Sequence, residues 1–254
     1  MKIDEIVIPQ KIATHIKNQN YTKDTIGRSH SSVILFDNYV LKIESLSLES
    51  KNELILMKWL KGRLPVPEII AHCEEDGYNF LLMSRLQGDM LYEVDSSIEL
   101  YVKSLKQLKE IDYRDCPVDN RLEHYLKQAQ YNVDNDLVDL DNVNPDTFGP
   151  EGFKDSQDLL QWLKDNQPEE ELSYSHGDLC MPNILVKNNE IIGYIDLGRG
   201  GICDRYRDIA LCYRSYLYNT EITEEKSQSK LEQLLDFKLD MEKIRYYILI
   251  DELF

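Results

Sequence analysis

The sequence predicts an α+β protein of two lobes, a small strand-rich lobe over 1–86 and a larger helical lobe over 87–254. Three observations predict it. Short apolar runs separated by turn residues crowd the first third of the chain. Apolar residues at helical spacing dominate the remainder. Between them, Gln87-Gly88 interrupts an apolar run, so the join is placed over 84–88. A chain of 254 residues can bury a substantial core, as one large domain or as two lobes.

In the first lobe, residues 32–36 and 39–43 flank Asp37-Asn38, a two-residue hairpin signal. Period-two alternation puts Lys42 on the face shared by Val33, Leu35 and Val40. A lysine on an apolar face costs stability unless an anion meets it; the competing reading is an edge-strand lysine with its head in water. A helix over 50–61 follows, stopped by Gly62 with Pro65 and Pro67 beyond. Positions 53, 56, 57 and 60 share one of its faces, so Glu53 points with Leu56, Met57 and Leu60 and is the natural partner for Lys42. Ser50-Lys51-Asn52-Glu53 also reads as a capping box, in which Glu53 merely closes its own helix. Residues 80–84 form a buried strand that runs into the join. Helices over 98–111, 155–163, 206–218, 230–237 and 246–253 build the second lobe. There is no internal repeat and no low-complexity linker.

The chemistry-bearing stretch is Ser175-His176-Gly177-Asp178-Leu179-Cys180-Met181-Pro182-Asn183, with Asp196-Leu197-Gly198 beginning eighteen residues after Asp178. This is the spacing His-x-Asp-x-x-x-x-Asn and Asp-x-Gly of the kinase catalytic and metal-binding loops. Between them, two apolar runs surround Asn188-Asn189-Glu190, a hairpin that brings both loops to one end. Phosphoryl transfer needs an acceptor hydroxyl held in line, which a carboxylate such as Asp178 can orient and late in the reaction deprotonate. It also needs Mg²⁺, a hard cation that takes oxygen ligands, and Asn183 and Asp196 offer them. Each motif alone is equally an ordinary tight turn; the joint spacing favours the kinase reading. With that reading, backbone groups of Ser84 and Leu86 face the purine of ATP or GTP, and Lys42 with Glu53 holds the phosphates. His176 is a packed framework residue.

Forty-six acidic residues against 29 basic ones leave a net charge of −17, which argues against nucleic-acid phosphates as a partner and favours a cation, although solubility also explains an acidic balance. Cys73, Cys116, Cys180, Cys203 and Cys212 form no Cys-x-x-Cys pair and suit a reducing cytoplasm. Cys180 is a nucleophile in principle, without a second feature in support. The first residues are charged, unlike a signal peptide, and no apolar run reaches membrane-spanning length, so neither export nor a membrane partner is expected.

Two absences narrow the acceptor. The upstream loop Ile26-Gly27-Arg28-Ser29-His30-Ser31-Ser32 has one glycine, with Ser29, Ser31 and nearby amides left to cap phosphate oxygens. Only twelve residues separate Asp196 from Asp208, too few for a polypeptide-docking segment, so a small molecule is expected to accept the phosphoryl group.

The chain resembles the bacterial aminoglycoside 3′-phosphotransferases, antibiotic-resistance kinases with a protein-kinase-like fold. The resemblance is carried by Trp59-Leu60-Lys61-Gly62-Arg63-Leu64-Pro65-Val66-Pro67, Leu82-Met83-Ser84, the two loops above with Arg199, Asp204-Arg205-Tyr206-Arg207-Asp208-Ile209-Ala210 and the final Tyr246-Tyr247-Ile248-Leu249-Ile250-Asp251-Glu252-Leu253-Phe254. It implies that Asp178 is catalytic, that Asn183 and Asp196 bind magnesium, and that Lys42 and Glu53 form the phosphate-lysine pair. It further implies that Arg199, Arg214, Asp251, Glu252 and Phe254 line an aminoglycoside pocket, with the 3′ hydroxyl as the acceptor. Acids at the end of the 246–253 helix oppose its macrodipole, at about 0.3–1 kcal/mol each when exposed, so binding an ammonium-rich ligand gives them a purpose, although a frayed, solvated tail needs none. The acidic stretch 134–141 departs from the family's spacing, and Val40 stands where similar enzymes stack an aromatic ring on adenine, which leaves ATP and GTP both open. The alternatives are a kinase of another hydroxylated metabolite and a non-enzymatic nucleotide-binding module.

Overall fold

The computed structural model describes residues 2–3, 6–23, 31–95, 97–140, 143–150 and 152–254. The predicted phosphate-capping Ser29 and Asp141 of the acidic stretch lie outside them. The chain forms two compact units, Met1–Met90 with Asn183–Arg199 and Leu91–Pro182 with Gly200–Phe254. The division is discontinuous where the sequence reading had two sequential lobes: the 183–199 segment belongs with the strand-rich part.

In the first unit a five-stranded antiparallel sheet runs Thr22–Lys23, Ser32–Leu35, Tyr39–Ser45, Tyr78–Ser84, Ile69–Glu75 in spatial order. Alternation sorts its residues. Ile34, Phe36, Leu41, Ile43, Phe80 and Leu82 join Ile12 and Ile16 of the Gln10–Ile16 helix in one core. The opposite face carries Lys42 opposite Val33 and Leu81. The next helix spans Leu48–Leu60 and buries Glu53, Leu56, Met57 and Leu60 together. Its capping box belongs to Ser47 and Ser50: the Ser47 hydroxyl accepts from Ser50 N–H and the Ser50 hydroxyl accepts from Ser47 N–H. Glu53 is thereby excused from capping.

The predicted hairpin is Ile184–Lys187 with Glu190–Tyr194, turned by Asn188 and Asn189 at φ +52° and +61°, the left-handed pair that a two-residue hairpin needs and asparagine tolerates. It extends a three-stranded sheet with Asp89–Met90.

The second unit contains the helices Ser97–Lys109, Leu122–Asp134, Ser156–Asp165, Arg205–Asn219, Glu224–Leu235 and Met241–Asp251. A two-stranded ladder, Leu172–Ser175 with Gly201–Asp204, lies among them. The ladder carries the chain into His176 from one strand and into the Arg205–Asn219 helix from the other, which sets up the anchoring described next.

Candidate active site

In the first unit, Lys42 Nζ lies 2.9 Å from Glu53 Oε2 and 3.0 Å from Asp196 Oδ1, with Glu44 Oε2 at 3.6 Å. Glu53 is 3% exposed, so its carboxylate depends on the lysine for its charge compensation. Burial works against the Lys42 ammonium, but Glu53, Asp196 and Glu44 outweigh it and hold its pKa well above 10.5. Burial pushes the Glu53 carboxyl upward while Lys42 pulls it back. The ion pair predicted between Lys42 and Glu53 is therefore present, and Asp196 joins it. Asp196 has φ +60°, unusual for a residue other than glycine and of a kind that collects at functional positions. Gly198 follows because nothing larger fits: a Cβ there would stand 2.9 Å from the Glu49 carbonyl oxygen.

Asn183 and Asp196 flank the hairpin. Ile184 pairs with Tyr194 and Ile195 N–H donates to Asn183 O at 3.0 Å, so both residues emerge from the same end of one sheet. Their side chains supply oxygen donors only, the set a hard divalent cation prefers. Among the described residues there is no cluster of three or more His, Cys, Asp and Glu arranged for a metal.

Ser84 N–H donates to Glu68 O at 2.8 Å, and the Ser84 hydroxyl accepts from Glu68 N–H at 2.8 Å. Leu86 packs where a Cβ on Gly193 would stand 2.0 Å from its Cδ1. Arg199 Nε pairs with Glu49 Oε1 at 3.1 Å, in the first unit, whereas Arg214, Asp251, Glu252 and Phe254 belong to the second.

In the second unit the segment carrying Asp178 is held at every residue from 176 to 181. His176 and Gly177 N–H donate to the two oxygens of Asp208 at 2.8 and 3.0 Å. Asp208 is buried, and burial raises its pKa despite those bonds. Asp178 N–H donates to His176 Nδ1 at 3.3 Å, which gives the fully buried histidine its framework role. Tyr101 OH donates to Leu179 O, Cys180 N–H to Asp178 O at 2.8 Å, and Met181 N–H to Ser215 Oγ at 3.0 Å. Gly177, at φ +81°, makes the turn.

Arg214, Asp251 and Glu252 form one cluster. Arg214 Nη2 bonds Asp251 Oδ2, and Nη1 stands 3.5 Å from Glu252 Oε1. Glu252 Oε2 accepts from Asn144 N–H at 2.8 Å. Burial is the largest influence on Glu252 and lifts its carboxyl above the ordinary range. Burial opposes the Arg214 charge, yet Asp251 and Glu252 raise its pKa. The Phe254 ring stacks on Tyr125 at 4.2 Å, and the Arg207 guanidinium lies 3.7 Å over the same Tyr125 ring. Asn132 Nδ2 donates to Leu253 O at 2.9 Å and fixes the segment that carries the acids.

Tyr101, Tyr125, Asn132, Asn144 and Ser215 did not stand out in the sequence. The periodic set Leu122, Tyr125, Leu126, Ala129, Val133 was a helix signal that could have flagged Tyr125; the others depend on long-range approach. A cavity of about 440 Å³ in this unit is lined by Lys109, Arg114, Glu171 and Arg205 among others, none of them a predicted site residue. Arg114 is paired with Asp112 and Arg205 with Glu171.

Residues 21–246 match the model of the phosphotransferase enzyme family. An aminoglycoside 3′-phosphotransferase of Enterococcus faecalis is 40% identical, the alignment covering 94% of this chain and 95% of that protein. One of Staphylococcus aureus is 39% identical over the same shares. The fold is shared with a solved aminoglycoside phosphotransferase of Streptomyces rimosus, at TM-score 0.81 and 21% identity over 96% of both chains. It is shared too with an aminoglycoside-3′-phosphotransferase of type VIII, at TM-score 0.75 and 22% identity over 92% of this chain and 94% of that one. The α+β, kinase-like architecture expected from the sequence is thus the one observed, and the chain belongs to the aminoglycoside 3′-phosphotransferase family of phosphotransferase enzymes.

Proposed function

We propose that the protein transfers the γ-phosphoryl group of a nucleoside triphosphate to a hydroxyl, the 3′ one, of an aminoglycoside and so confers resistance to it. The observation that carries the reading is Lys42 Nζ bridging Glu53 and Asp196: a largely buried strand lysine paired with one acid of a helix and touching the aspartate of Asp-x-Gly is the arrangement that phosphoryl transfer uses. The relatives' names supply the acceptor class, and the Streptomyces rimosus enzyme has been solved with ADP and streptomycin.

In this reading the first unit is the nucleotide-binding lobe. Lys42 neutralises phosphate charge, and Glu53 keeps it aimed. Ser29 caps phosphate oxygens, and the 84–86 backbone meets the purine. Val40 is small enough to accept ATP or GTP. Asn183 and Asp196 hold Mg²⁺ through oxygen donors; the ion, when bound, screens the negative charge of the phosphates. The second unit is the catalytic and substrate lobe. Asp178 orients the acceptor hydroxyl and takes its proton late in the transfer. Asp251, Glu252 and Phe254, with Arg214 and Arg199, hold the drug; its ammonium groups compensate these acids, among them the Glu252 carboxylate that burial disfavours. Adding a phosphoryl dianion to a polycationic drug weakens its attraction to RNA, which gives resistance its physical basis. No described helix is long and apolar enough to cross a membrane. The nucleotide substrate and five free thiols suit the cytoplasm.

The test is a coupled assay of the purified protein with Mg²⁺, a panel of aminoglycosides, and ATP and GTP in turn. Turnover on aminoglycosides bearing a 3′ hydroxyl is expected. Silence across the panel with turnover of another alcohol would assign the site to a different metabolite.

A further inference from the structure

The thiol of Cys180 lies 3.1 Å from Asp178 Oδ1. Three contacts deliver it there: Tyr101 OH holds the carbonyl of Leu179, Ser215 Oγ takes the N–H of Met181, and Cys180's own N–H closes a tight turn onto Asp178 O. Both backbone neighbours of the cysteine are thus pinned by residues of the Ser97–Lys109 and Arg205–Asn219 helices. We propose that Cys180 is a positioning residue, whose S–H donates to Asp178 Oδ1 and sets the rotation of that carboxylate about its Cβ–Cγ bond, so that its other oxygen addresses the acceptor hydroxyl. The inference rests on the reading of Asp178 as the acceptor-orienting base and deepens it.

The chemistry agrees with a donor and disagrees with a nucleophile. Burial, followed by the adjacent Asp178 charge, holds the thiol well above its usual range, so it keeps its proton at neutral pH. The charges of Asp251 and Arg214 also act on it, so the sulfur is within electrostatic reach of the acid cluster that is read as the drug pocket. A carboxylate that swings freely presents its lone pairs to the hydroxyl only part of the time. One fixed by a neighbour loses nothing to reorientation when the reaction occurs.

The experiment compares steady-state kinetics of wild type, Cys180→Ala, Cys180→Ser and Asp178→Asn, with thermal melts alongside. A hydrogen bond to a charged group, discounted for the weak thiol donor, predicts about a tenfold lower kcat for Cys180→Ala, with KM for nucleotide and for aminoglycoside nearly unchanged. Cys180→Ser, which keeps a donor, recovers most of the rate even if the alanine variant folds poorly. Wild-type kcat in Cys180→Ala, or a serine variant as slow as the alanine one, overturns the inference while Asp178→Asn remains inactive. Full activity in Asp178→Asn would instead remove the base itself, and this role with it.

Discussion

Lys42→Met removes the one cation that, among the described residues, stands against the buried Glu53, and leaves that carboxylate with Asp196 and Glu44 as charged neighbours. Breaking a buried pair from one side costs about 3–5 kcal/mol when the surviving charge must stay. Glu53 has an escape, which is to take up a proton. For a glutamate with an unfolded pKa of about 4.3, folding into the neutral form at pH 7 costs roughly 3.7 kcal/mol, and at pH 5 about 1 kcal/mol. The loss is therefore capped near the first figure at neutrality and shrinks by about 1.4 kcal/mol per pH unit toward pH 5. The sign follows from a lone buried acid: its folded pKa is raised, so the stability it retains is present at low pH and lost as pH rises. Urea unfolding measures this, with the linear extrapolation applied to the first unit. Trp59 lies in the Leu48–Leu60 helix and Trp162 in the other unit, so a Trp162→Phe background reports the relevant transition by fluorescence. A difference from wild type that is the same at pH 5 and pH 7, or below about 0.5 kcal/mol at both, would refute the claim that Lys42 is what keeps Glu53 ionised.

Asp208→Asn leaves one carbonyl oxygen where two carboxylate oxygens accept from His176 and Gly177, and sets an amide NH₂ against a backbone N–H. We expect about 1–3 kcal/mol lower stability by denaturant unfolding, together with a reduced kcat; a variant as stable and as fast as wild type would show that the anchoring is incidental. At Glu252, burial holds the carboxyl above its ordinary value, so its charge opposes folding at neutral pH and this cost disappears below the unfolded pKa of about 4.3. Glu252→Gln should melt above wild type at pH 7, lose that advantage as pH falls toward 4, and show a raised KM for aminoglycoside; a lower melting temperature at pH 7 with unchanged KM contradicts both halves.

Lys42 and Glu53 were legible in the sequence because each is reported by a local period: strand alternation aligned the lysine with Val33, Leu35 and Val40, and helical spacing aligned the acid with Leu56, Met57 and Leu60. The hairpin was legible because two apolar runs surround the polar Asn188-Asn189-Glu190, and the structure shows both asparagines in the left-handed turn. The capping box was misplaced for an equally local reason. Its N3 residue is Ser50, and the pattern sought a glutamate or glutamine there, which only Ser50-x-x-Glu53 satisfied. What could not be read was pairing across long separations. The Leu172–Ser175 strand finds its partner in Gly201–Asp204, and Tyr101 meets Leu179, through approaches that no window of a dozen residues contains. Tyr125 hides for a further reason: an aromatic on an amphipathic helix face is ordinary core, and it is the stacking of Phe254 and Arg207 on its ring that distinguishes it.

The direct measurement is a single-turnover reaction of the protein with Mg²⁺, nucleoside triphosphate and a 3′-hydroxylated aminoglycoside, its product mapped by phosphorus NMR and mass spectrometry, beside Asp178→Ala with nucleotide affinity measured separately. One phosphoryl group on the 3′ oxygen with wild type, and none with Asp178→Ala despite intact nucleotide binding, is the predicted result. An unmodified drug with wild type, or a phosphorylated one with the alanine variant, would contradict the account.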